Sequence, residues 1–272
     1  MRIRHRFGYQ SNSIDIVGFL RSHNIKFTEG ELVSTLDIFE DDVDFNAINE
    51  FFSSYGVYPL SEAVFTYSEL SNAQWLSVRS TWRNGYPLPR DNMGYRNTTY
   101  NADHYCDKCG AGLIQKESFV LSKEPDWSTR NFLMLNWIHD ELFMSQKATD
   151  RLCDSGYTGF QAMDVCSKAG AAMQKTKQMF IANVLSGGLC DTSVSSTQIC
   201  EKCGGRRHML KISLVKYERE AFENTPYDVV KSAEQFGEIT CSRMIFMSQR
   251  LYQLIISAKL NRGLVFEPIE LV

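Results

Sequence analysis

The 272 residues, 43% hydrophobic and 22% charged, have the composition of a soluble globular protein with room for one large domain or two ordinary ones. A net charge of −3 with pI near 6.0 gives no reason to expect a polyanionic partner. No apolar run reaches the length of a membrane span, and the start, MRIRHRFGYQ, lacks the apolar stretch of a secretion signal, so a reducing cytoplasm is the expected location.

Through about Ser68 the chain alternates short elements. Residues 2–7 are strand-like, and Ile14, Val17 and Leu20 make a helical stripe that Ser11 or Ser13 can cap. IKFTEGELVSTLDIFE gives two strand-like runs around a Glu29-Gly30 turn, with Leu32, Leu36 and Ile38 on one face. Phe45, Ile48, Phe52 and Tyr55 recur at helical spacing ahead of Gly56, and EAVFTYS, residues 62–68, is a last strand. The order is that of a ferredoxin-like βαββαβ plait. The acidic run FEDDVD suits the N-terminus of the second helix, with Asp42 or Asp44 as cap, or an acidic surface for a basic partner.

ELSNAQWLSVRS reads as a short amphipathic piece. It leads into RNGYPLPRDNMGYRNTTYNADHY, whose Pro, Gly and Asn density marks a linker. The boundary falls near Pro87: an N-terminal domain at 1–87, a connecting loop at 88–104 and a second domain at 105–272. From Tyr105 one pattern occurs twice. A CxxCG knuckle (CDKCG, then CEKCG) leads into strands, then FMSQ, a helix, a Gly and a further strand. The knuckles lie 94 residues apart and the FMSQ copies 103, so the second copy carries about nine extra residues. The expectation is a divergent duplication with pseudo-repeats 105–170 and 199–272, making the whole chain an α+β protein. FMSQ itself reads as a strand-to-helix junction. Phe and Met end a buried strand, and Ser145 or Ser248 caps the helix.

Eight cysteines in a reducing compartment need an explanation other than disulfides. Cys106, Cys109, Cys200 and Cys203 form two CxxC pairs, each followed by Gly110 or Gly204-Gly205, and zinc takes four thiolates in a tetrahedron. The two knuckles are therefore expected to close on one structural zinc ion with no open coordination position. The alternatives are unmetallated turns, a redox dithiol, or His104 or His208 in place of a thiolate. Cys153, Cys166, Cys190 and Cys241 have no partner at ligand spacing and read as small buried apolar side chains.

In NWIHDE, residues 136–141, the adjacent His139, Asp140 and Glu141 cannot converge on one atom along a strand, which makes a polar turn the simpler reading. Asp154 and Asp164 read as loop and strand-edge residues. Arg206, Arg207 and His208 beside the second knuckle leave a nucleic-acid-associated zinc ribbon as an alternative. No constellation of nucleophile, base and oxyanion donors stands out, so no catalytic residues are expected.

The CDKCG and CEKCG pairs, Gln115 and Phe119 after the first knuckle, and WIHDELFMS resemble the bacterial double-CxxCG proteins linked to polymorphic-toxin immunity. The closing stretch, with Phe246, Ser248, Gly263, Phe266 and Pro268, looks like the end of a related group of immunity-type domains. Together they cover about 60% of the chain and leave the N-terminal part unmatched. The resemblance implies a cytoplasmic, non-catalytic protein that binds and neutralises a cognate toxin.

Overall fold

The computed structural model describes all 272 residues. It is a mixed α+β protein, mostly strands with seven α-helices, in two units. One unit is Met1–Glu69 with Ile212–Leu214; the other is Leu70–Lys211 with Val215–Val272. The expected boundary near Pro87 is thus displaced toward the N-terminus. The reason is Trp75–Ser80, which looks amphipathic in sequence but is a strand in the middle of a sheet of the second unit.

In the first unit Arg2–Gln10 is the central strand, antiparallel to both Val33–Phe39 and Leu60–Val64. Its pleat sends Phe7 and Tyr9 to one face and Arg4 and Arg6 to the other. The apolar face, with Leu36 and Ile38, packs on Ile16 and Leu20 of helix Ile14–Ser22 and on Ile48 and Phe52 of helix Phe45–Ser54. Phe19 stacks on Phe51 with ring centroids 3.7 Å apart. Three of the four expected strands form; the segment before Glu29-Gly30 contributes one isolated bridge, Thr28 to Thr35. Two expected core positions, Ile14 and Leu32, are exposed, and Ile16 and Ser34 are buried instead.

The opposite face carries ion pairs, Arg6 with Asp37 and Arg4 with Glu62 directly across the strands, and Arg2 with both Asp41 and Asp42 just past the strand end. FEDDVD is therefore not a helix cap. Asp42 accepts the Phe39 amide at 3.0 Å, and Asp44, at the N-cap position, makes no side-chain cap bond.

The second unit holds two five-stranded sheets of the same plan. In one the order is Val120–Leu121, Gln161–Ser167, Ala172–Phe180, Leu142–Ser145, Phe132–Leu133. In the other it is Val215–Tyr217, Leu264–Leu271, Trp75–Ser80, Ile245–Ser248, Val229–Lys231. In each, the first pair is parallel and the remaining three are antiparallel. The middle strands differ in where the chain supplies them. Trp75–Ser80 precedes the first knuckle yet sits in the sheet built after the second, and Ala172–Phe180 precedes the second knuckle yet sits in the sheet built after the first.

The FMS strands occupy equivalent places. Phe143 and Phe246 face separate clusters, whereas Met144 and Met247 enter one shared core with Leu152, Leu251, Ile255 and Phe266. Each serine caps its helix: the Ser145 hydroxyl accepts from the Ala148 amide at 3.2 Å, and that of Ser248 from the Leu251 amide at 3.4 Å.

Candidate metal centre

Both knuckles are built alike. In the first, the Cys106 amide donates to the Ala111 carbonyl and the Gly110 amide to the Cys106 carbonyl, at 2.8 and 2.7 Å. In the second, the Cys200 amide donates to Gly205 and the Gly204 amide to Cys200, at 2.9 and 2.8 Å. Such a turn needs a left-handed residue after the second cysteine, and Gly110 (φ +83°) and Gly204 (φ +71°) supply it. Gly112 is fixed by space as well, since a Cβ there would lie 1.9 Å from the His104 carbonyl oxygen.

The turns bring four sulfurs from segments 94 residues apart to one point. Cys106 Sγ lies 3.7 Å from Cys200 Sγ, Cys109 Sγ lies 3.6 Å from Cys203 Sγ, and all four are within 4.8 Å of one another. These separations are far beyond a sulfur–sulfur bond of about 2.05 Å, so the thiols are free. Cys106, Cys109 and Cys200 are buried and Cys203 is exposed. Burial pushes the Cys109 thiol up to about 12, while the backbone amides of Cys203 and Lys202 hold Cys200 down at about 6. Four sulfurs this close cannot all ionise without a cation among them, and together they are placed to hold a metal ion.

The residues between the cysteines fasten the knuckles to each other. Asp107 receives Lys202, and Glu201 receives Lys108, so the two DK/EK dipeptides exchange partners across the site. The exchange follows the same pairing as the sulfurs, where Cys106 meets Cys200 and Cys109 meets Cys203. These pairs are solvent-exposed and serve alignment more than stability.

His104 and His208 stand outside the sulfur cluster; the His208 ring meets Thr197 at 3.0 Å. Arg207 spends its guanidinium on the Glu238 and Ile239 carbonyls and on Gln198. The four remaining cysteines are not the buried apolar residues expected. Cys153 is exposed, the other three are half-buried, and Cys241 packs beside the site with its amide 3.0 Å from the Cys109 carbonyl. No spacing rule marks Cys241, because a fold rather than a local turn brings it there.

NWIHDE forms a turn through Asp140, but Glu141 departs from that reading. It is buried, ion-paired to Lys231 and bonded by Gln178 at 3.0 Å. Its partner lies 90 residues away, and no local pattern announces it. Asp164 is a strand residue paired with Lys177, and Asp154 follows the helix Gln146–Cys153.

No family model matches the chain, and no curated protein and no solved structure is detectably similar to it.

Proposed function

We propose that the chain is a non-catalytic protein-binding module stabilised by one structural zinc ion, acting in the cytoplasm as an immunity protein toward a cognate bacterial toxin. The observation that carries the zinc reading is the sulfur geometry. Thiolates at about 2.3 Å from zinc form a tetrahedron with edges of about 3.8 Å; two separations between the knuckles are 3.6 and 3.7 Å, and all four sulfurs lie within 4.8 Å of one another. Cys106, Cys109, Cys200 and Cys203 fill all four positions, so the ion would hold the knuckles together and leave no site for substrate or water. The free state of all eight cysteines agrees with a reducing compartment.

Two further features support the reading of the second domain as a divergent tandem duplication. Its sheets share one strand order and one set of pairing senses, and its knuckles meet with their ion pairs exchanged. The N-terminal unit is read as a ferredoxin-like plait whose outer strand has shrunk to the Thr28–Thr35 bridge. Toxin neutralisation rests on the double-CxxCG resemblance. The acidic run offers a basic partner less than its sequence promises, because Asp41 and Asp42 already hold Arg2.

Elemental analysis of protein purified without chelator is expected to give one zinc per chain. A metal-free protein whose four knuckle thiols alkylate rapidly in the native state would overturn the assignment. Co-expression with the product of a neighbouring toxin gene is expected to protect the host and to yield a stable complex. Failure of both removes the immunity reading and leaves the zinc site standing.

A further inference from the structure

Beside the first knuckle lies a cavity of about 540 Å3, within the range of small-molecule sites. Its wall is aromatic on one side, where Trp137 stacks on Tyr95 (centroids 6.0 Å apart, 19° between planes) and Tyr100 follows. Trp137 holds φ at +71°, a conformation that a bulky residue keeps only where the surroundings impose it. The polar lining has three fixed cations, Arg96, Lys231 and Arg243, against two carboxylates, Asp140 and Glu141.

The charges do not cancel. Lys231 is paired with Glu141, and the Arg243 amide reaches Asp140 at 3.3 Å while its guanidinium bonds the Ser232 and Ala233 carbonyls. Arg96 has no carboxylate. One of its nitrogens donates to the Tyr105 hydroxyl at 2.5 Å, its guanidinium carbon lies 5.1 Å from the centre of the Tyr105 ring, and its Nε is buried without a partner. That nitrogen is sealed from solvent, so the outer end of the guanidinium is what can meet a ligand, and an arginine there without a carboxylate partner favours an anionic acceptor. His139 adds no charge. Its Nδ1 faces the Arg83 guanidinium at 3.1 Å and must accept, so the ring is neutral with its proton on Nε2. Burial, then the nearby Arg83 charge, lowers its pKa and keeps it so.

We propose that this cavity binds a small organic monoanion, a carboxylate on a flat aromatic body, with Arg96 taking the carboxylate and Trp137 and Tyr100 taking the ring. One uncompensated positive charge sets the ligand's charge, and the stacked wall sets its shape. The inference does not use the toxin reading, and since Gly110, Ala111 and Gly112 of the first knuckle line the cavity, the chain is tested with its knuckles intact.

The test is calorimetric titration of the full chain with benzoate and indole-3-acetate, alongside benzamide and indole-3-acetamide, with tryptophan fluorescence recorded in parallel. The acids are expected to bind saturably and the amides at least about tenfold more weakly. Arg96→Gln is expected to weaken the acids by a similar factor while far-UV circular dichroism and bound metal stay unchanged. Trp137→Phe should abolish the fluorescence response and keep most of the calorimetric binding. No saturable binding of either acid at millimolar concentration, equal binding of acid and amide, or undiminished binding by Arg96→Gln overturns the proposal. Should Arg96→Gln fail to fold, the contrast between acid and amide on the unaltered chain decides alone.

Discussion

Asp228 shows how a residue invisible to motif reading can govern one that motif reading finds. Ser248 caps the last helix, Gln249–Ser257, as FMSQ suggests, but its hydroxyl also donates to Asp228 at 2.7 Å. The same carboxylate accepts from the Thr158 amide at 3.0 Å and holds the Arg250 guanidinium. Burial pushes the Asp228 carboxyl up. Arg250, Ser248 and Thr158 together outweigh it and leave the carboxyl below its ordinary value. A lowered folded-state value means that the stabilisation is present above the unfolded value and is lost as pH falls through the folded one. Asp228→Asn should therefore cost about 1–3 kcal/mol at pH 7, and in urea titrations the gap to the unaltered protein should close as pH drops below about 4. The cap itself was legible because Ser-plus-helix is a local signal. Asp228 was not, because it lies 20 residues from Ser248.

Among the elements, the strand Trp75–Ser80 separates what sequence can tell from what it cannot. Its residues alternate poorly: Leu76, Ser77 and Val78 are all buried, because partners lie on both sides and sheet faces are covered. A run of six residues with such a pattern has no clear period, and its neighbours in the sheet come from residues 245–248 and 264–271. The FMSQ strands and the helices behind them were readable because each is followed directly by its own cap, helix and glycine. A sharp consequence concerns where the chain can be cut. A fragment beginning at residue 70 keeps the middle strand and should unfold in urea as one cooperative transition. A fragment beginning at residue 88, the boundary that composition suggests, lacks it and should be aggregated or lack a cooperative transition. Equal cooperativity of the two fragments would refute the strand's central role.

For the molecule as a whole, the four-sulfur site ties together segments 94 residues apart, a closure that no local interaction provides. A cross-link over so long a loop removes much of the freedom of the unfolded chain. Chelation of the ion we propose, checked by calorimetry with and without a strong zinc chelator, is expected to lower Tm by roughly 5–10 °C. Cys106→Ser should reproduce the shift, and adding chelator to that variant should bring little further loss. The site was legible almost completely in the sequence, since CxxCG fixes its own turn and its own direction. What the sequence left open was how two such turns meet, a matter of sheet order and of the crossed Asp107–Lys202 and Glu201–Lys108 pairs.

The sequence positions of the two middle strands also set a timetable for synthesis. Trp75–Ser80 leaves the ribosome early, yet the first strand that pairs with it begins at Ile245, about 165 residues later. At ordinary elongation speeds of about 5–20 residues per second, that is a wait of roughly 10–30 s. Throughout it, a strand with two open edges, carrying Trp75, Leu76 and Val78, has no native neighbour. Ala172–Phe180 faces no such delay, because both of its partners, Leu142–Ser145 and Gln161–Ser167, have already been made. The first sheet can thus close during translation while the second must wait for the final residues, which makes the nascent chain most vulnerable to aggregation, and most in need of a chaperone, through its earliest sheet strand of the second unit.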